Sequence, residues 1–316
     1  YDNISIGRNA GLGITTSNGN ISIGQLAGAR VGLKADSIYI GDAAGSNALT
    51  TQDICIGKGA GRYLSNITDD PTVSLATFRI AIGSLAMGGP SSARQFNPFE
   101  IAIGAEASTK QNTSLTTSSG KGVYLGYSAG RGPASTAISA VESGYHVALG
   151  AEAMYWGGTA RKGQIAIGYR ASIGNFQIKT ESYNSSIYGI AIGWEAEGSL
   201  LNYQTLERSG EGNIAIGYLA ASTASSTITG GTVAIGSRSL AEGSDSIAIG
   251  TDATAGDAGG SKDDGIAIGN GASSKFLGGV ALGAGATTTD ANQFAIGSSS
   301  NNVGTVIVAP PATTTT

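Results

Sequence analysis

A short string recurs through this chain and constrains the fold more than anything else in it. The string is aliphatic, small, aliphatic, glycine, with alanine three residues later, as in Ile247-Ala248-Ile249-Gly250 with Ala253 and Ile266-Ala267-Ile268-Gly269 with Ala272. Sixteen copies run from Ile4 to Ser300. Repetition at this scale means that one small structural unit is stacked many times. The repeat glycines include Gly168, Gly193, Gly217, Gly236, Gly250, Gly269 and Gly283. Fourteen of the sixteen copies have Ala three residues after the glycine, and two have Ser (Ser239 and Ser300). The shortest spacing between successive glycines is 14 residues, found for example from Gly269 to Gly283. Fourteen is therefore the basic unit, and longer spacings contain insertions.

Aliphatic residues two apart lie on one face of a strand. Each unit is read as a short β-strand that turns at its glycine, where a tight corner calls for positive φ or close backbone approach. Ala at the third following position suits a crowded inner corner. Helix is a poor alternative, because no 3.6-residue periodicity persists and 51 glycines would weaken it. One unit alone buries too little apolar surface to offset the entropy of ordering it. The units must stack, each strand pairing with the same strand of the next coil. The expectation is an all-β fold, a parallel β-solenoid of about sixteen coils. At ~4.8 Å per coil such a rod is about 75 Å long.

The middle residue of the strand is Ala in eleven copies, and otherwise Ser5, Ser22, Tyr39, Cys55 or Tyr124. With the two aliphatics assigned to the core, this row of small residues points outward. An outward row of Ala rather than Thr, Lys or Glu suggests packing against another chain. A coil this short also encloses a thin core, which favours an oligomer.

The string Ser246-Ile247-Ala248-Ile249-Gly250 with Ala253, on a minimum period of 14, resembles the head repeat of trimeric autotransporter adhesins, the YadA-like head. Copies such as Asn213-Ile214-Ala215-Ile216-Gly217-Tyr218 are similar to repeats in bacteriophage tail fibres. The resemblance covers about residues 3–300. It implies a left-handed parallel β-roll, with three chains intertwined or side by side. The chain differs from the adhesin pattern in its irregular spacing and in having no heptad stalk after the last repeat.

Along the chain, residues 1–304 read as one solenoid domain. Coils up to residue 61 are nearly regular, with 16–17 residues between glycines. Insertions rich in Ser, Thr, Asn and Gly then lengthen the coils over about residues 62–212, as loops should. They carry Tyr155, Trp156, Phe176, Tyr183, Tyr188 and Tyr203. Insertions in repeat proteins tend to fall on the binding face, and aromatic rings stack on sugars or anchor protein partners. These six are the candidate receptor-binding residues, with the alternative that they fold back onto the rod. Short coils return after Gly236. Asp252, Asp257, Asp263 and Asp264 offer oxygen ligands for calcium but lack EF-hand spacing, and a solvated acidic loop is the simpler reading. Residues 305–316 form a terminal strand and a Pro/Thr-rich tail. Tyr1 leads almost directly into a repeat, as in a segment of a longer protein.

Charged residues make up 13% of the chain, with net charge −4, so no basic stripe for nucleic acid is expected. No stretch is long and apolar enough to span a membrane as a helix. Cys55 is the only cysteine and reads as a buried substitute for Ala. His146 is the only histidine, so one chain cannot build a multi-histidine metal site. Glu142, Glu181, Glu195, Glu197, Glu207 and Glu211 lie in or near the insertions, but no spacing marks a hydrolytic pair. The sequons at Asn3 and Asn20 overlap strand starts, which argues against their use.

The expected function is therefore non-enzymatic and needs no cofactor or metal. The chain reads as an extracellular, homotrimeric fibre segment that projects from a phage or a bacterial cell. It attaches to a surface glycan or protein receptor. The alternatives are a purely structural filament subunit and, less favoured, a polysaccharide depolymerase.

Overall fold

The computed structural model describes residues 2–14, 18–29, 35–47, 51–62, 76–88, 100–108, 122–131, 146–154, 163, 165–171, 189–196, 212–222, 231–256, 264–298 and 300. These residues contain strands and turns and no helix. In chain order the strands are β1 (Ile4–Ile6), β2 (Ile21–Ile23), β3 (Ile38–Ile40), β4 (Thr51–Ile56), β5 (Ala76–Ile82), β6 (Glu100–Ile103), β7 (Gly122–Leu125), β8 (His146–Leu149), β9 (Ile165–Ile167) and β10 (Ile190–Ile192). They continue as β11 (Ile214–Ile216), β12 (Ala221–Ser222), β13 (Val233–Ile235), β14 (Leu240–Ala241), β15 (Ile247–Ile249), β16 (Thr254–Ala255), β17 (Ile266–Ile268), β18 (Ser273–Ser274), β19 (Val280–Leu282) and β20 (Phe294–Ile296).

The fold is a parallel β-solenoid. Sixteen strands, one from each repeat, form a single sheet in sequence order, and β12, β14, β16 and β18 form a second, four-stranded sheet. Register follows the motif. Ala166 pairs with Ala191 and Ala191 with Ala215, although insertions separate them. The backbone ladder passes straight through the corner. Gly250 donates to Ile235 O at 2.8 Å, and Asp252 donates to Ser237 O at 2.9 Å.

Glycine at this corner is a stereochemical requirement. Gly250 has φ of +134°, and a Cβ there would lie under 3.0 Å from the carbonyl of Gly269 in the next coil. The same clash with the next level recurs at Gly168, Gly193, Gly217, Gly236 and Gly269. From Ala27 onward the described alanines three residues on, including Ala253 and Ala272, are buried, as expected for an inner corner.

The two faces of the main sheet are the reverse of the sequence expectation. The middle row is inside the coil: Ala81, Ala102, Ala148, Ala234, Ala248, Ala267 and Ala281 are fully buried. The flanking aliphatics face outward and stay partly exposed, with Ile268 at 37% and Leu282 at 40%. Coil width is the physical reason. A short coil brings its opposite walls so close that methyl-sized groups fill the space, and branched side chains are turned out. Cys55, fully buried in this inner row, does stand in for Ala.

Volume is matched across this narrow interior at four levels. The inner residues Ala81 and Ala148 are followed six positions later by the buried Met87 and Met154. Where the inner residue is Tyr39 or Tyr124, the residue six positions on is Gly45 or Gly130. A Cβ on Gly45 would overlap the Tyr39 ring, and one on Gly130 would overlap the Tyr124 ring. Gly45→Ala is therefore expected to lower the thermal midpoint strongly. Tyr39→Ala removes the clash but leaves a cavity of its own, so the double mutant should lose less than the sum of the two single losses. Strict additivity of the two losses would refute this packing account.

Strand starts build a polar ladder on the same inner face. Asn20 Oδ1 accepts from Ser37 N at 3.1 Å, and Asn3 Oδ1 accepts from Asn20 N at 2.9 Å. Both sequon asparagines are thus structural. Further along, Asp53, Arg79 and Glu100 stand on successive levels, all buried. Arg79 Nε lies 3.6 Å from Asp53 Oδ1. Burial, reinforced by the nearby Glu100 carboxylate, pushes the Tyr124 hydroxyl well above its ordinary pKa. His146 opens β8 opposite Gly122 and is also buried.

Candidate recognition surface

Tyr155, Trp156, Phe176, Tyr183, Tyr188 and Tyr203 all lie outside the described residues, as do Glu142, Glu181, Glu197, Glu207, Glu211, Asp257 and Asp263. So does the terminal segment 305–316. The described surface has two prominent features, and both follow from the repeat.

The first is the outward aliphatic face. Ile235, Ile249, Ile268, Leu282 and Ile296 stand one above another in direct register. Val233, Ile247, Ile266, Val280 and Phe294 form a parallel column beside them. The same double column runs through the earlier coils back to Ile4 and Ile6. In place of charge or hydroxyls, this face presents a continuous sheet of branched carbon.

The second is a column of aromatic rings at the position directly after the repeat glycine. Tyr169, Trp194 and Tyr218 occupy it on three successive levels, following Gly168, Gly193 and Gly217. The Tyr169 and Trp194 ring centroids are 4.6 Å apart, with planes tilted by 47°. Trp194 is 54% exposed and Tyr218 49%. Tyr127 holds the same position nearer the N-terminus and is also exposed. The backbone under these rings is fixed by the corner ladder. Tyr169 O accepts from Glu195 N at 2.9 Å, Trp194 O from Leu219 N at 3.0 Å, and Tyr218 O from Arg238 N at 2.8 Å.

Charged side chains flank the aromatic column in ion pairs. Arg170 sits 5.0 Å from the Tyr169 ring centre. Its Nε donates to Glu152 Oε2 at 2.6 Å, and its Nη1 lies 3.7 Å from Glu195 Oε1. The hydrogen bond to Glu152 is the largest influence raising the Arg170 pKa. Above the column Arg238 makes a two-pronged bond to Asp252, at 2.6 and 2.7 Å. That bond holds the Asp252 carboxyl below its ordinary pKa. Asp252, one of the acidic residues weighed for calcium, is thus engaged with an arginine. No group of three or more His, Cys, Asp or Glu side chains among the described residues is placed to hold a metal ion. No described helix is long and apolar enough to cross a membrane.

The sequence reading looked for aromatics in the insertions and passed over Tyr127, Tyr169, Trp194 and Tyr218. The signal was present, since each follows a repeat glycine and stacked repeats place equivalent positions in a column. Comparisons with protein families, curated proteins and solved structures return no match.

Proposed function

We propose that this chain is a segment of an extracellular homotrimeric fibre that attaches a phage or a bacterial cell to a surface receptor, as a tail fibre or an adhesin head does. The observation that carries the reading is the outward aliphatic face. A continuous apolar strip running the length of a rod is a poor surface to leave in water and a good one to pack against equivalent strips. Each partly exposed isoleucine still has on the order of 1 kcal/mol to gain from contact, out of ~1.5–3 kcal/mol for full burial. A self-complementary strip fits closed association of identical chains. The number three rests on the resemblance to adhesin heads and tail fibres.

The proposed work is mechanical and adhesive, without catalysis. Side-by-side chains would present each surface feature three times per level, so a weak contact gains avidity from repetition rather than from a deep pocket. The labelled chain should bind saturably to at least one member of a panel of bacterial and animal cell surfaces, with displacement by excess unlabelled chain. Absence of binding to every member, together with end-to-end polymerisation in solution, would favour a structural filament subunit instead.

A further inference from the structure

We infer that the aromatic column Tyr169–Trp194–Tyr218 is a binding platform for a neutral, extended glycan. The inference rests on the attachment reading and moves its contact from the insertions to the body of the rod. Three features point to this ligand. Two of the rings, Trp194 and Tyr218, are about half exposed on a surface whose backbone is pinned by ladder hydrogen bonds of 2.8–3.0 Å. Little ordering is therefore left to be done on binding. Tyr and Trp present an apolar ring face and a polar edge, which suits the apolar face and hydroxyl rim of a pyranose.

The column is also periodic. One ring per level repeats at the coil spacing of ~4.8 Å, and Tyr169 and Trp194 touch at 4.6 Å between centroids, so the rings form one continuous aromatic strip along which an extended chain of sugars can lie. The third feature is charge. Arg170 lies between Glu152 and Glu195, and Arg238 is taken by Asp252. Among the described residues, neither arginine beside the column is left over to attract a sulfate, phosphate or sialic acid. The Glu152 and Glu195 carboxylates are only partly buried and can accept bonds from sugar hydroxyls while still facing Arg170.

The unaltered chain is titrated by calorimetry, and tryptophan emission is read in parallel in Trp156→Phe, which leaves Trp194 as the only one of the chain's two tryptophans. The probes are hexasaccharides of β-1,4-linked glucose, α-1,4-linked glucose and mannose, and a sulfated hexasaccharide. The expected result is a saturable change in tryptophan emission with at least one neutral probe, insensitive to salt, and none with the sulfated one. Tyr169→Ala/Trp194→Ala/Tyr218→Ala, followed by calorimetry, should weaken that binding at least tenfold. Trp194→Phe alone should weaken it less, and both variants should keep the parent thermal midpoint and solution mass.

Three results would overturn the inference: no response to any neutral probe, equal binding by the triple variant, or a change of solution mass in it. The last would make the column part of a chain–chain contact. The attachment reading is scored separately by cell binding. If the triple variant still binds cells like the parent, the platform falls and the attachment reading stands.

Discussion

Gly250→Ala is expected to disrupt the solenoid around β13, β15 and β17, with a loss of about 3–5 kcal/mol. Two effects add. The backbone at Gly250 has φ of +134°, a region that L-residues enter at about 1–3 kcal/mol. The new Cβ would also lie under 3.0 Å from the Gly269 carbonyl. The opposing atom is backbone, so relief requires the two coils to separate and strains the bond from Gly269 N to Ile249 O, now 2.8 Å. Gly271→Ala is the matched control. Gly271 is also left-handed, at φ of +62°, but a Cβ there meets nothing within 4 Å. It should lose only about 1 kcal/mol, the ordinary penalty of a left-handed L-residue. Stacked repeats unfold locally as well as globally. The readout is therefore hydrogen exchange at Ile247–Ile249 and Ile266–Ile268 beside the thermal midpoint. Equal effects of the two substitutions would remove close coil approach as the reason for the glycine row.

The second large effect is expected at the outward face. Ile235→Asp/Ile249→Asp/Ile268→Asp places three carboxylates on successive levels of one column. In a single chain these positions are already partly exposed, so the coil should still form. Between chains the same carboxylates would be buried without partners and close to their counterparts, each at a penalty of several kcal/mol. The variant should run at the mass of one chain, keep its β-sheet circular dichroism, and melt at a lower temperature. Ala248→Asp makes the contrasting case. It puts a charge inside the coil, where Ala248 is fully buried, and should prevent local folding. If the triple variant unfolds while Ala248→Asp is tolerated, the assignment of the two faces is wrong.

The assignment of faces is where sequence reasoning reached its limit. The sixteen strands, their parallel stacking and the glycine corners were legible, because each follows from a local pattern repeated in register. Alternation says which residues share a face, as Ile247 and Ile249 do, but leaves open which face is inside. The usual preference for burying Ile over Ala decided it wrongly, because it takes no account of coil width. The pairs Tyr39 with Gly45 and Tyr124 with Gly130 held the correction. A large middle residue with glycine six positions on is what a filled interior requires, and an outward row would have no need of it.

The second sheet, from Ala221 to Ser274, was also not foreseen. Its two-residue strands are too short to show alternation. The aromatic column escaped for a different reason. Tyr169, Trp194 and Tyr218 are 24 or 25 residues apart in the chain and become neighbours only after the insertions between them are discounted.

The central claim is that the outward aliphatic face is covered by identical chains. The measurement that tests it most directly is the solution mass of residues 1–316 by light scattering behind a sizing column, at several concentrations. The account predicts a constant mass of about three times the 31.3 kDa of one chain. A well-folded species at the mass of one chain would contradict it, because the aliphatic columns would then face water with no partner.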